Sequence, residues 1–247
     1  ANPIVKVFPD DLPGETPRRI ELAAARNERE PFQLCLRAVR DLVNVAVTVD
    51  PPRHREGQKL GVSLNLVGYV PVDHPSNYYT VDVPAWCRKL PPRGSSGCDG
   101  WAGLWPDPLP PLAPFARQAH TTQPVWATVS VPPDAPPGTY RGSVTIQPSN
   151  QPPLQIPLVV TVWDFALPKQ SRLQVIYDFR EGFTRQFGGT SGTRDEVLRK
   201  WYAFLADHRI SPGILPEPKF GTMDGQVTMD TADFDRAAAY CLDELGI

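Results

Sequence analysis

Proline sets the strongest limit on how this chain can fold. It accounts for 30 of 247 residues, more than twice its usual share of about 5%, and most of it lies before residue 170. Each proline fixes φ and removes a backbone donor, so a region this rich in it is not built of long helices. It suits short strands, strand edges and ordered turns. The uneven distribution divides the chain into two regions of different class, and the length allows two ordinary domains.

The first region carries strand patterns separated by turn chemistry. Val43, Val45, Val47 and Val49 alternate strictly, the mark of a half-buried strand. Residues 21–38, 60–70, 125–131, 138–146 and 154–163 give further strand candidates, and the turn 133–138 (Pro-Asp-Ala-Pro-Pro-Gly) separates two of them. Many short strands at this spacing predict two packed antiparallel sheets, a β-sandwich over residues 1–168. Residues 71–124 interrupt the rhythm with a long connection rich in Pro, Gly and aromatics, including Tyr78, Tyr79, Trp86, Trp101, Trp105 and Phe115. A connection of that length is functional or is ordered by its own packing. Trp101 and Trp105 either stack on sugar rings, whose flat apolar faces match an indole, or build a small core beneath the loop.

After Pro168 the pattern changes. Residues 173–177 (Leu-Gln-Val-Ile-Tyr) form an apolar run without alternation, as in a parallel strand covered on both faces. Thr193 and Glu196 have capping-box spacing, and Val197, Leu198, Trp201, Phe204 and Leu205 continue with helical periodicity. Residues 210–215 suggest a second strand, and residues 220–229 a hairpin turning at Asp224-Gly225. Asp230 is placed to cap a second helix whose face is Phe234, Ala237, Ala238, Cys241, Leu242 and Leu245, stopped by Gly246. The order β-α-β-hairpin-α predicts that residues 169–247 open a (β/α)8 barrel and stop short of closing it. The predicted class is mainly β, an antiparallel sandwich followed by the first units of an incomplete barrel. Open strand edges in such a piece predict self-association.

Charge and cysteine narrow the function. A net charge of -2 and a pI near 6.1 give no electrostatic case for nucleic acid or an anionic membrane as partner. No apolar run reaches the ~18 residues of a membrane helix. Cys35 and Cys241 sit in apolar patterns and read as buried free thiols. Cys87 and Cys98 flank a polar loop that a disulfide would close in an exported protein. No His or Cys joins them at zinc-ligand spacing, so neither a metal nor any other cofactor is implied. The chain starts at Ala1, which fits a removed signal peptide as well as a trimmed or tag-cleaved product. With the cysteine pair it makes a secreted or periplasmic location the expectation.

Several segments together resemble one family. They are residues 25–33 (Ala-Arg-Asn-Glu-Arg-Glu-Pro-Phe-Gln), 104–109 (Leu-Trp-Pro-Asp-Pro-Leu), 131–142 with its Pro-Gly-Thr-Tyr-Arg-Gly ending, 162–168 (Val-Trp-Asp-Phe-Ala-Leu-Pro) and 208–212 (His-Arg-Ile-Ser-Pro). Their order and spacing resemble glycoside hydrolase family 123 and related domains of unknown function. The resemblance implies a β-sandwich followed by a catalytic barrel. It also implies a retaining, substrate-assisted β-N-acetylgalactosaminidase acting on carbohydrate. In such an enzyme an adjacent Asp-Glu pair does the chemistry, and the resemblance places that pair beyond Ile247. No catalytic residue is therefore assigned within the chain, which alone is expected to be inactive.

Barrel sites gather at the C-terminal ends of strands. That logic makes Asp178, Arg180 and Glu217 candidates for holding substrate, beside Trp101 and Trp105 in the aromatic loop. For Asp178 and Arg180 the competing reading is an ion pair within a loop. His208 and Asp164 read as structural. A non-catalytic sandwich that binds glycan or acts as a spacer is the alternative to a glycosidase. Phosphate loops, nucleophile elbows and zinc-protease motifs are absent from the sequence.

Overall fold

A computed structural model describes residues 1–12, 14–15, 17–72, 102–170, 173, 175–177 and 193–247. They fall into two compact units, Ala1–Leu167 and Pro168–Ile247. The chain is mainly β.

The first unit contains β1 (Ile20–Arg26), β2 (Glu28–Arg37), β3 (Leu42–Arg53), β4 (Gly61–Leu66), β5 (Tyr69–Val72), β6 (Gly103–Pro106), β7 (Phe115–Arg117), β8 (Thr122–Val131), β9 (Gly138–Gln147) and β10 (Leu154–Ala166). Five strands pair in the order β1-β10-β9-β3-β7, three in the order β2-β8-β4, and β5 pairs with β6. The aromatic connection therefore contains short strands at both ends. The chain leaves one sheet for the other at Asn27, whose φ of 59° is in the left-handed region that asparagine tolerates. Its side-chain amide donates to Leu167 O at 2.9 Å and fixes the corner.

Strand alternation sorts the residues into two faces. In β10, Ile156, Leu158, Val160 and Val162 are buried while their neighbours are more accessible. These four share one cluster with Val45, Tyr140 and Val144 from the same sheet and with Phe32, Leu34, Val125, Ala127 and Val129 from the three-stranded sheet. Fully burying one such Val or Leu side chain contributes about 1.5–3 kcal/mol, so the two inner faces hold each other. Tyr140 closes one end. It is fully buried, its hydroxyl donates to Pro136 O at 2.8 Å, and its ring lies 5.1 Å from that of buried His54. Opposite Leu158 sits Gly142, where β3 crosses so closely that a Cβ would come 2.8 Å from Pro52 N and closer still to the Asp50 carbonyl.

The second unit has β11 (Ile176–Tyr177), α1 (Arg194–Asp207), β12 (Ser211–Pro212), β13 (Lys219–Met223), β14 (Gln226–Asp230) and α2 (Ala232–Ala239). β11 and β12 run parallel, as the unalternating apolar run predicts, though the strand is shorter than residues 173–177. The capping box forms: Glu196 N donates to Thr193 Oγ1, and Thr193 N to Glu196 Oε2. Leu198, Tyr202 and Leu205 of α1 pack with Ala237 and Cys241.

The end of the chain departs from expectation in two ways. Thr231, not Asp230, is the N-cap of α2. Asp230 is held in β14 opposite Lys219 and reaches the helix by accepting from Ala232 N at 3.0 Å. After Ala239 the helix widens into a π-helical turn, Tyr240–Leu245, closed by Gly246 at φ 72°. Cys241, four residues after buried Ala237, is buried, while Leu242 faces water.

Gly142→Ala should destabilise the protein by about 1–3 kcal/mol through overpacking against β3. Gly61→Ala, where a Cβ meets Ser130 at an ordinary 3.7 Å, should leave stability almost unchanged. Urea denaturation of the two variants checks both.

Candidate functional site

The parallel pair of the second unit is where barrel logic locates a site. β11 and β12 end together at Tyr177 and Pro212, and Gly213 N donates to Tyr177 O at 2.8 Å, extending the alignment past the strands. The following loop is anchored by buried Pro216 and by Tyr202, whose hydroxyl donates to Ile214 O at 3.4 Å. Glu217 follows Pro216 and is exposed. The two flanking prolines restrict its backbone, so a carboxylate is presented to solvent on a stiff loop beyond the strand ends. Asp178 and Arg180 lie outside the described residues, as does Trp101.

Past Glu217 the chain rises into the hairpin β13-β14. Its base is tied to α2: Lys219 Nζ donates to Asp233 Oδ2 at 2.6 Å, and Arg236 pairs with the same carboxylate. The Lys219 hydrogen bond and charge, with Arg236 adding, hold the Asp233 carboxyl below the usual range. Phe220 pairs with Met229 and Thr222 with Val227, which puts Phe220, Val227 and Met229 on one face, all exposed.

In the first unit Trp105 is half-buried in β6, opposite Val70. Its ring meets Phe8 edge to face with centroids 5.2 Å apart, and Lys6 Nζ lies 5.7 Å from its centroid. Nearby on the same strand pair is Tyr69, whose hydroxyl donates to Val7 O at 3.1 Å. Burial pushes its pKa up to about 12 against the opposing pull of Arg117. Trp105 thus belongs to a cluster that fastens the N-terminal segment, with part of its indole still in water.

A cavity of about 910 Å³ opens in the same unit between the β1-β10-β9 side of one sheet and β2 of the other. Leu34, Leu42, Ile146 and Ile156 give it an apolar floor, and Glu30 and Gln151 stand among its polar lining. Gln33 is buried beside it with its amide donating to Asn2 O and Val5 O. Burial, then the neighbouring Glu28 charge, raises the Glu30 carboxyl above its ordinary value. Neither Trp105 nor Glu217 lines this cavity.

The residues read as structural have local partners. His208 C-caps α1 with Nδ1 2.8 Å from Phe204 O, and Asp164 pairs with Arg26 at 3.4 Å. Cys35 is a half-buried and Cys241 a buried free thiol; Cys87 and Cys98 lie outside the described residues. Among the described residues no cluster of His, Cys, Asp and Glu has the makings of a metal site. One aromatic pair escaped the sequence reading. Trp163 and Phe165, two apart on β10, have ring centroids 5.7 Å apart and planes within 16°, and both are about half exposed. Their spacing on the solvent side of the Val160-Val162 alternation was the available signal.

The sequence model of the glycoside hydrolase 123 N-terminal domain matches residues 10–148. No curated protein matches the sequence. Among solved structures, the fold is similar to that of a family 123 glycoside hydrolase from Clostridium perfringens studied for glycolipid glycan hydrolysis. The TM-score is 0.65 at 12% identity, over 94% of this chain and 42% of that one. This chain therefore spans about two fifths of that protein. A Bacteroides ovatus family 5 xyloglucanase, solved with a heptasaccharide, matches at a TM-score of 0.27 and 9% identity, over 75% of this chain and 23% of that one. That likeness is too slight to indicate a shared fold.

The cavity yields a pH prediction. Glu30 binds its proton more tightly when folded, so its contribution to stability is fully present below the ordinary glutamate value of about 4.3 and is lost as pH rises through the raised folded value. Glu30→Gln should therefore melt higher than the parent at pH 7 and match it at low pH. Thermal melts across the acid range test this; equal melting at pH 7 would contradict it.

Proposed function

We propose, since this chain belongs to the glycoside hydrolase 123 N-terminal domain family, that it is the front part of a retaining, substrate-assisted β-N-acetylgalactosaminidase. In this reading residues 1–168 are an antiparallel β-sandwich and residues 169–247 begin a (β/α)8 barrel. The family assignment makes the substrate a carbohydrate. The shared core of the two sheets and the parallel β11-α1-β12 unit support the architecture.

The chemistry assigned to the whole enzyme needs two neighbouring carboxyl groups. The substrate's own 2-acetamido oxygen attacks the anomeric carbon as the glycosidic C–O bond breaks. A Glu gives its proton to the leaving oxygen and then takes one from the attacking water, and an Asp orients the acetamido group. We assign that Asp-Glu pair to residues beyond Ile247. Glu217 is exposed and stands alone beyond β12, with no second carboxylate in the loop 213–218. Its role here is to hold a substrate hydroxyl, with Asp178 and Arg180 after β11 as further contacts. The polypeptide of which this is a part would be secreted or periplasmic. The observation that carries the proposal is the match of the family model over residues 10–148.

Exposed Leu173, Ile176 and Tyr177 around β11 support self-association of the isolated 247-residue chain, because a parallel strand is ordinarily covered on both faces.

The intact polypeptide carrying this segment should hydrolyse p-nitrophenyl N-acetyl-β-galactosaminide with retention, and the 247-residue chain alone should not. A hydrogen bond to a charged group is worth about 1.5–3 kcal/mol, so Glu217→Gln in the intact enzyme should lower kcat/KM by about 10–100-fold without removing a limb of the pH profile. Turnover by the 247-residue chain, abolished by Glu217→Gln, would show that the acid-base group was assigned to the wrong place.

A further inference from the structure

We propose that Asp107–Pro114, the connection between β6 and β7, is a proline strap that closes the outer edge of β4 and keeps a second copy of this chain from adding a strand there. Its basis is the hydrogen bonding of the first unit, independent of the sugar chemistry assigned above.

β4 needs cover. It is the last strand in the order β2-β8-β4, so one of its sides has no strand partner in that sheet. A bare edge presents a row of N–H and C=O groups to any other strand, and proteins guard such edges with charged residues, with proline or with a covering segment. β4 has no device of its own: none of residues 60–70 is charged and none is proline. An uncharged strand in which Val62, Leu64 and Leu66 alternate with small or polar residues is an apt template for pairing.

The strap supplies the cover. Leu66 N donates to Pro110 O at 3.0 Å and Gly68 N to Pro108 O at 2.8 Å. The Asn65 side-chain amide donates to Leu109 O at 2.9 Å and to Pro110 O at 3.3 Å, and Asn65 forms an isolated antiparallel bridge with Pro111. Three successive carbonyls of the strap therefore accept from Asn65, Leu66 and Gly68. The approach is close: a Cβ on Gly68 would meet Pro108 Cγ at 2.8 Å. What remains of β4 outside the strap is Gly61–Leu64, shorter than the ~5–6 residues of an ordinary strand.

The strap does not become a new edge in its turn. Four of its eight residues are proline, and from 108 to 111 only Leu109 keeps a backbone N–H. These four residues are exposed, so an incoming strand would meet a surface nearly without donors. Both ends are held. Pro106, just before the strap, pairs with Tyr69. At the other end Leu112 and Phe115 pack against the apolar cluster shared by the two sheets, and Phe115 opens β7, which pairs with β3.

Amide hydrogen exchange and sedimentation velocity on the 247-residue chain test the proposal. In the parent the amides of Leu66 and Gly68 should be protected. Pro108→Ala, Pro110→Ala and Pro111→Ala together give the strap three donors and a looser backbone. Those two amides should then exchange about tenfold faster or more, and assemblies larger than the parent's should grow with concentration. Adding Ser63→Lys, at an exposed position on β4, should return this variant to the parent's association state, because a charge on an edge strand opposes pairing. In the parent Ser63→Lys should change nothing, and any association through β11 is common to all of these proteins. Should the triple variant fail to fold, Asn65→Ala removes the two side-chain bonds to the strap and should speed exchange at Leu66 and Gly68 about fivefold. Unprotected Leu66 and Gly68 amides in the parent would overturn the proposal, as would unchanged exchange in Asn65→Ala. So would a folded triple variant that associates no more than the parent, or excess association that Ser63→Lys leaves in place.

Discussion

The first unit depends on one apolar cluster to which both the five-stranded and the three-stranded sheet contribute. Val125, Ala127 and Val129 on β8 have no accessible surface, and the same is true of Val144 on β9 and Leu158 and Val160 on β10. Each strand alternates, so burying one side commits the other to solvent, and a slip of one residue would invert both. Other features follow from this contact. The left-handed corner at Asn27 exists because the chain must pass from one sheet to the other, and Gly142 is required because β3 lies against its backbone. The same alternation puts Trp163 and Phe165 in water.

Much of this was legible in the sequence, and for a physical reason. Period-2 alternation reports burial at Val45 and Val47 and in residues 154–163, but the register shifts at Asn44, whose φ is 47°, so Leu42 is buried and Val43 is exposed. The capping box at Thr193 and Glu196 was readable because its interactions are local. What was not readable depended on long-range geometry. Asp230 has the chemistry of a helix cap, but its pairing with Lys219 keeps it in a strand. The π-helical turn at Tyr240–Leu245 leaves no mark on the apolar pattern before the backbone widens. Trp105 shows the same limit: composition flagged it, and only the fold reveals that its ring rests against Phe8 under Lys6.

The candidate site was legible in part. The rule that sites gather at the C-terminal ends of parallel strands led to Glu217, and the structure sets it beyond β12 on a proline-bounded loop with an exposed carboxylate. The exposure of Trp163 and Phe165 was signalled only by their place opposite the Val160-Val162 alternation. Glu217 offers one charged acceptor on a stiff loop, suited to orienting a hydroxyl.

The central claim is that this segment contributes strand ends and Glu217 to the sugar site of a family 123 glycosidase. The most direct measurement is a crystal structure of the intact polypeptide with the thiazoline derived from N-acetylgalactosamine, which mimics the intermediate formed by the substrate's acetamido group. The account predicts the inhibitor at the C-terminal ends of β11 and β12, with Glu217 within hydrogen-bonding distance of a sugar hydroxyl and an Asp-Glu pair from outside this sequence at the ring. An inhibitor bound away from these strand ends, or β11 and β12 outside a barrel, would contradict it.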